Sequence, residues 1–251
     1  MNNDLKDNDI FDDFQFETLR NNSDPPIDEL SISSIHSSFT SFEKLETEKG
    51  LFNIACTNAR SLTNKIASLV TLFEENNLHV ALLTETWLTG KICTKRNMDN
   101  LTAGANISFI RRDRGSRGGG VAIAYDNTKI RLSKFPFEKD KTKEIICAVG
   151  SCALSRRKFA FISAYLPPSI SSAELDGYIY SLVDIVDNIL LKFPDAMICV
   201  GGDFNKKDLS RFCTVFPELL PLQAGATRNN EALDEIYTNL KSNLAGKALP
   251  F

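Results

Sequence analysis

Between residues 50 and 240 the apolar positions fall into short continuous runs and into one-faced helical patterns, and the two kinds follow each other in a definite order. Leu51-Phe52-Asn53-Ile54-Ala55-Cys56-Thr57-Asn58 reads as a strand that runs into Asn58-Ala59-Arg60-Ser61. Ile66, Leu69, Val70 and Phe73 then share one face of a helix, for which Thr63 or Asn64 is the predicted cap. After Asn76-Asn77 a second strand, Val80-Ala81-Leu82-Leu83-Thr84, delivers Glu85-Thr86-Trp87-Leu88. Strand, helix and strand in that order predict a parallel crossover, which puts Asn58 and Glu85 at the same end of one sheet.

The pattern then loses its helices. Ile107–Ile110, Val121–Tyr125, Glu144–Val149 and Lys158–Tyr165 are strand-like runs with polar or basic links, as consecutive antiparallel strands are. The last of them ends in Leu166-Pro167-Pro168, a rigid exit that presents Tyr165. Ser171 and Glu174 form a capping box for a long helix whose apolar residues Leu175, Ile179, Leu182, Val186 and Ile189 keep the helical period up to Phe193-Pro194. Ala196–Val200 follows as a buried strand, and Gly201-Gly202 is read as a sharp turn that admits a ligand and presents Asp203 and Asn205. Asp208–Phe216 is a short helix, and Ala232–Asn239 is one more strand-like run, carrying Asp234. Together these elements predict an α/β fold, two mixed β-sheets packed face to face with helices outside.

Composition adds a boundary. The 251 residues are 43% hydrophobic and 24% charged, enough for one sizeable core with a tail. The net charge of −3 hides an asymmetry: residues 1–48 hold twelve acids and three bases (−9), the remainder 20 acids and 26 bases (+6). Residues 1–48 are Asn/Asp-rich and then Ser-rich, cannot bury enough surface to offset their ordering entropy, and are read as a disordered acidic arm in which Phe11, Phe14 and Phe16 are a possible docking motif. The folded domain is placed at 49–251. Six cysteines without a CxxC pair and only two histidines argue against zinc and for a reduced compartment. With no apolar leader and no run near the ~18 residues of a membrane span, the expectation is an intracellular protein, nuclear or cytoplasmic and not secreted.

Asn58, Glu85, Tyr165, the Asp203/Asn205 pair and Asp234 thus all sit at predicted strand ends. Taken singly, each has an ordinary reading too: an Asx turn after a core strand for Asp203, a surface carboxylate beside Trp87 for Glu85, a core tyrosine for Tyr165. Taken in order, Asn58-Ala59-Arg60-Ser61-Leu62, Glu85-Thr86-Trp87-Leu88, Arg117-Gly118-Gly119-Gly120-Val121-Ala122, Ala164-Tyr165-Leu166-Pro167-Pro168, Gly202-Asp203-Phe204-Asn205, Thr227-Arg228 and Leu233-Asp234-Glu235-Ile236-Tyr237-Thr238 resemble the endonuclease/exonuclease/phosphatase family. The resemblance is closest to the apurinic-type endonuclease domain of non-LTR retrotransposons and covers about residues 50–240.

That resemblance implies a DNase I-like four-layer sandwich and metal-dependent phosphodiester hydrolysis, the nicking of target DNA that primes reverse transcription. It implies Mg²⁺ or Mn²⁺ held by Glu85 with Asn58, Asp203 as the group that orients or deprotonates water, Asn205 and Tyr165 at the phosphate, and Asp234 as the partner of a histidine. A hard cation with few carboxylates and several waters agrees with one Glu and amide oxygens. Arg60, Arg114, Arg117 and Arg228 are the candidates for DNA phosphates, although the loop Arg111–Gly120 equally reads as a hairpin turn with a solvated basic face.

The family's terminal Ser-Asp-His is not found in this sequence. His36 lies in the arm, and His79 stands six residues before Glu85, ~20 Å away along a strand. The expectation is therefore an endonuclease architecture of weak or no activity, with an open sheet edge where the terminal strand would be. Two other readings stand beside it: a catalytically dead nucleic-acid-binding or interaction module, and a phosphatase for a small phosphate ester.

Overall fold

The computed structural model describes residues 41–89, 102, 104–115, 118–137, 140, 142–222 and 234–241. One sheet has the strand order β1 (Ser41–Thr47), β2 (Gly50–Asn58), β3 (Val80–Thr84), β5 (Val121–Asp126), β4 (Ile107–Arg112). The other runs β10 (Leu220–Leu222), β11 (Asp234–Thr238), β9 (Met197–Asp203), β8 (Phe159–Tyr165), β7 (Glu144–Cys152), β6 (Ile130–Lys134). The helices among the described residues are α1 (Ile66–Glu75), α2 (Ser172–Lys192) and α3 (Ser210–Val215).

Both sheets are covered on both faces, which is why their strands read as near-continuous apolar runs. Phe52, Ile54, Cys56, Val80, Leu82, Val121 and Ile123 of the first sheet meet Ile146, Phe159, Phe161, Met197, Cys199 and Ile236 of the second in the central core. The alternate residues Ala55, Ala81, Leu83, Ala122 and Ala124 face outward onto Ile66, Leu69, Leu72 and Phe73 of α1. On the other side Ile145, Cys147, Ala160, Ile162, Ile198 and Val200 pack under Leu182, Ile185, Val186 and Ile189 of α2 and Phe212 of α3. The result is four layers: helix, sheet, sheet, helices. Five cysteines among the described residues are free thiols, four of them buried. No helix among the described residues is long and apolar enough to cross a membrane.

Each sheet contains one parallel pair made by a helical crossover, β2 with β3 through α1 and β8 with β9 through α2. The capping box of α2 forms as expected: the Ser171 side chain accepts from the Glu174 backbone, and Glu174 reaches back to the Ser171 N–H. The helix α1 departs from expectation, since Lys65 is its N-cap and no side chain caps it.

Three further expectations are corrected. Residues 41–47 are not part of an arm: β1 pairs antiparallel with β2 through a tight Thr47–Gly50 turn, and Leu45 is fully buried in the central core. A charged alternating strand hides its one buried face from a composition argument. The rest of the proposed arm lies outside the described residues. The antiparallel runs do not form one meander, because the chain leaves β5 for the opposite sheet and adds β6 before β7. Gly201-Gly202 is not a turn either. Strand β9 runs straight through both glycines to Asp203, and a Cβ on Gly202 would collide with the Ala164 carbonyl, one on Gly201 with Leu82.

Candidate active site

The two parallel pairs end at the same rim of the sandwich. In the second sheet the register puts Glu144 opposite Tyr165, Tyr165 beside Asp203, and Asp203 opposite Asp234, so four adjacent strands contribute one residue each along a single line. In the first sheet Asn58 pairs with Thr84, the residue before Glu85. Asn58 Nδ2 donates to Asp203 Oδ2 at 2.7 Å and joins the two sheets at this line. Just below, Ser163 Oγ donates to the Leu83 carbonyl at 3.0 Å, a second polar tie across the core.

Beyond the strands the first sheet continues as three loop segments zipped together. The N–H groups of Ala59, Ser61 and Leu62 donate to the carbonyls of Thr84, Glu85 and Thr86, and those of Thr86 and Trp87 to Gly120 and Gly119. Arg60, Ser61, Glu85 and Trp87 all have positive φ, as do Asn205 and Lys206 after β9. Such residues cost of order 1–3 kcal/mol each and persist where surrounding bonds over-determine them.

Glu85 is gripped on one oxygen: Oε2 accepts from Trp87 Nε1 at 2.6 Å and from the Gly119 N–H at 2.9 Å. The Tyr165 hydroxyl also donates to this carboxylate, and burial first, then that bond and the charges of Glu85, Asp203 and Glu144, push the phenol well above its ordinary pKa. Asp203 is 5% exposed. Its Oδ1 accepts from the Asn205 N–H at 3.1 Å. Burial raises its pKa, with the Asn58 and Asn205 bonds working against the rise and the charge of Glu85 adding to it. Asn205 is fixed by its own amide, which donates to the Leu166 carbonyl at 2.8 Å. Asp234 is 4% exposed beside Asp203.

The structure adds a residue that sequence reasoning missed. Glu144 accepts from the Gly120 N–H at 2.6 Å and pairs with Arg114, Nε to Oε1, at 3.4 Å. Burial raises its pKa, the Gly120 N–H and Arg114 oppose that, and the charge of Glu85 adds to it. Gly119 and Gly120 therefore span two carboxylates with consecutive N–H groups. A side chain at Gly119, where φ is +71°, would meet Glu144 Oε1 at 2.6 Å. Tyr178, which the helical pattern does not single out, has its hydroxyl 3.2 Å from the Glu144 carbonyl and 3.1 Å from that of Tyr165, under the line of site residues. Nothing in the sequence gives the β7–β8 register that would reveal Glu144, because the six residues between the strands allow several pairings.

Of the candidate phosphate contacts, Arg60 is exposed next to Asn58, and Arg114 is committed to Glu144. Arg112 is spent on the Ile145 and Asp140 carbonyls. Arg117 and Arg228 lie outside the described residues. A cleft of about 1110 Å³ opens beside Tyr165, Glu144 and Arg114 and extends to Pro167 and Ile170. His79 is remote from all this, stacked on Phe52, its Nδ1 accepting from the Asn53 N–H at 3.1 Å, and burial lowers its pKa to about 4.

The donor set matches a hard divalent cation. The charge of Glu85 adds to the rise in pKa of both Asp203 and Glu144, and these rim groups offer oxygen ligands. No three His, Cys, Asp or Glu side chains among the described residues stand close enough to cage an ion. An ion held here would take few protein ligands and keep waters, as Mg²⁺ commonly does.

No protein-family model and no curated protein matches the sequence. Solved structures do. An endonuclease/exonuclease/phosphatase family protein from Bacteroides thetaiotaomicron superposes with a TM-score of 0.57 at 13% identity, covering 77% of this chain and 83% of that one. The chain has a DNase I-like fold. A mannosyl-6-phosphatase of the same bacterium (TM-score 0.55, 14% identity, 74% and 85% covered) and the endonuclease domain of TRAS1, a telomere-specific non-LTR retrotransposon (0.51, 14%, 74% and 84%), share this DNase I-like architecture. Hydrolases of both kinds match at the same identity, so the fold alone does not choose between them.

Proposed function

We propose that this chain is a divalent-metal-dependent endonuclease of the non-LTR retrotransposon type, which hydrolyses phosphodiester bonds in DNA. The observation that carries the reading is the joint between the sheets, where Asn58 on Asp203 and Tyr165 on Glu85 bring a desolvated carboxylate base and a gripped carboxylate to one rim. The retrotransposon branch is favoured by the Glu85-Thr86-Trp87-Leu88 and Ala164-Tyr165-Leu166-Pro167-Pro168 sequences.

Glu85 and the Asn58 carboxamide would hold Mg²⁺ or Mn²⁺, which when bound supplies charge neutralisation for the phosphate. The remaining work is the protein's own. Asp203, with its pKa raised and both oxygens oriented, accepts the proton of the attacking water as the water oxygen bonds to phosphorus. The bond from phosphorus to the 3′ oxygen breaks, and that oxygen takes a proton from solvent to leave a 3′ hydroxyl and a 5′ phosphate. Tyr165, kept protonated, donates to Glu85 and presents the same hydroxyl at the rim. Asn205 fixes Asp203 through its backbone N–H. Hydrogen-bond donors set in advance around developing charge are the usual source of such rate enhancements.

The test is nicking of supercoiled plasmid in Mg²⁺ or Mn²⁺ by the purified chain, run beside Glu85→Ala and Asp203→Ala. Weak metal-dependent nicking that both variants lose is expected, in keeping with the lack of a Ser-Asp-His in the sequence. Folded protein that nicks in neither metal, or variants that nick as well as the parent, overturn the reading.

A further inference from the structure

Trp87 is the chain's only tryptophan, and it stands at the rim two residues from Glu85 with 39% of its surface exposed. Large aromatic residues are left that exposed next to a buried polar cluster at a cost, because burying such a ring is worth a few kcal/mol. This one is also held still. Its backbone has φ +54°, its N–H donates to the Gly119 carbonyl at 2.9 Å, and its indole Nε1 donates to Glu85 Oε2 at 2.6 Å. The donor edge being committed to Glu85, the indole surface left for a ligand is the π face and the benzo edge. Among the described residues, chain neighbours aside, a Cβ on Gly118 would meet nothing nearer than Trp87 Nε1 and Glu85 Oε2, both at 4.0 Å.

A rigid, exposed ring whose N–H is already committed offers an apolar π face, which a flat nucleobase covers by stacking. Building on the endonuclease reading, we propose that Trp87 is a nucleobase-stacking site, which holds the base next to the scissile phosphodiester and selects polynucleotides over non-aromatic phosphate esters. Glu85 then links the two halves of recognition: the same carboxylate that faces the phosphate fixes the plane on which the base rests. Stacking of a base on an aromatic side chain tolerates all four bases, so the site reads the presence of a base and not its identity.

The single tryptophan makes the test direct, since all indole emission comes from this residue. The full chain is titrated in EDTA with a single-stranded DNA oligonucleotide and, separately, with an abasic strand of equal length that keeps every phosphate. The base-bearing strand quenches the emission and the abasic strand does not. Trp87→Leu weakens binding of the base-bearing strand about 5- to 100-fold, the range expected for one stacked base, and leaves binding of the abasic strand unchanged. Trp87→Phe keeps the ring without the N–H and retains most of the affinity, which separates stacking from the bond to Glu85. Circular dichroism confirms that both variants fold. Equal quenching by the two strands, no quenching by either, or undiminished binding by Trp87→Leu overturns the inference. Plasmid nicking is scored separately: nicking with an unquenched tryptophan sinks this proposal alone, and quenching without nicking sinks the catalytic reading alone.

Discussion

The two sheets supply the rim by different means. The second sheet aligns Glu144, Tyr165, Asp203 and Asp234 by register, so the ladder hydrogen bonds that build the sheet also place the site. The first sheet stops at Asn58 and Thr84, and its contribution is carried by loops in which Arg60, Ser61, Glu85 and Trp87 take left-handed backbone. Glycine shows the same contrast. Gly202 is there because a neighbouring backbone leaves no room, whereas Gly119 offers an N–H to Glu85 from a conformation that side chains disfavour. One half of the rim is as stable as the fold. The other half is strain held by hydrogen bonds, the arrangement that recurs where a ligand completes a site.

The strongest way to probe the register-built half is Asp203→Asn, which keeps the size of the side chain and removes the proposed base. Nicking in Mg²⁺ should fall on the order of 10²- to 10⁴-fold while the melting curve stays cooperative. If the rate is unchanged, the base lies elsewhere.

The next pair of variants separates the two halves by what they break. Gly202→Ala forces a methyl into the Ala164 backbone, which cannot yield without parting β8 from β9, and should lower stability by about 3 kcal/mol or more. Gly119→Ala adds the same methyl in the loop, against the mobile ends of Arg114 and Glu144 at φ +71°. It should lower stability by about 1–2 kcal/mol and yet reduce nicking by more than that loss explains, because both carboxylates lose their alignment. Thermal melts and rates on the same preparations decide it. Equal stability losses would mean that the loop is as much a part of the core as the strand.

Acid titration sharpens the contrast between the rim and the opposite end of the sandwich. Asp203 and Glu144 have raised native pKa values, so between the ordinary carboxylate range and those values the native state holds protons that the unfolded chain has released. Stability therefore falls as pH rises through that window, by up to about 1.4 kcal/mol per pH unit for each group. At the other end of β3 His79 works in the opposite sense. Its pKa is lowered to about 4, so the unfolded chain binds the extra proton, and stability is lost as pH falls from about 6.5 toward 4. Urea melts across this range should show the two slopes opposed, and Asp203→Asn should remove its share of the first and none of the second.

What the sequence made legible follows the same division. Asn58, Glu85, Tyr165, Asp203 and Asp234 were placed at strand ends because buried strands announce themselves as apolar runs and their exits as polar residues. The two sheets followed from the alternation of crossovers and antiparallel runs. Glu144 was not legible, because its role depends on a register that side-chain period alone leaves open. The Gly201-Gly202 pair was misread as a turn, since an absent Cβ serves close packing as readily as a bend. Strand β1 was missed because charge dominates its composition while Leu45 does the burying.

The smallest effect tests whether the register-built half needs support from beneath. Tyr178 is 2% exposed in α2, and its one hydroxyl proton lies between the carbonyls of Glu144 and Tyr165, the last pair of the β7–β8 ladder. Tyr178→Phe removes that donor without opening a cavity, so it should cost about 1 kcal/mol, the net worth of a buried hydrogen bond. If register alone places Tyr165 and Glu144, nicking by Tyr178→Phe should drop no further than this small destabilisation predicts. A loss of ten-fold or more with the melting temperature nearly unchanged would show that the strand ends are aimed from the helix layer, and that the ladder by itself leaves them loose.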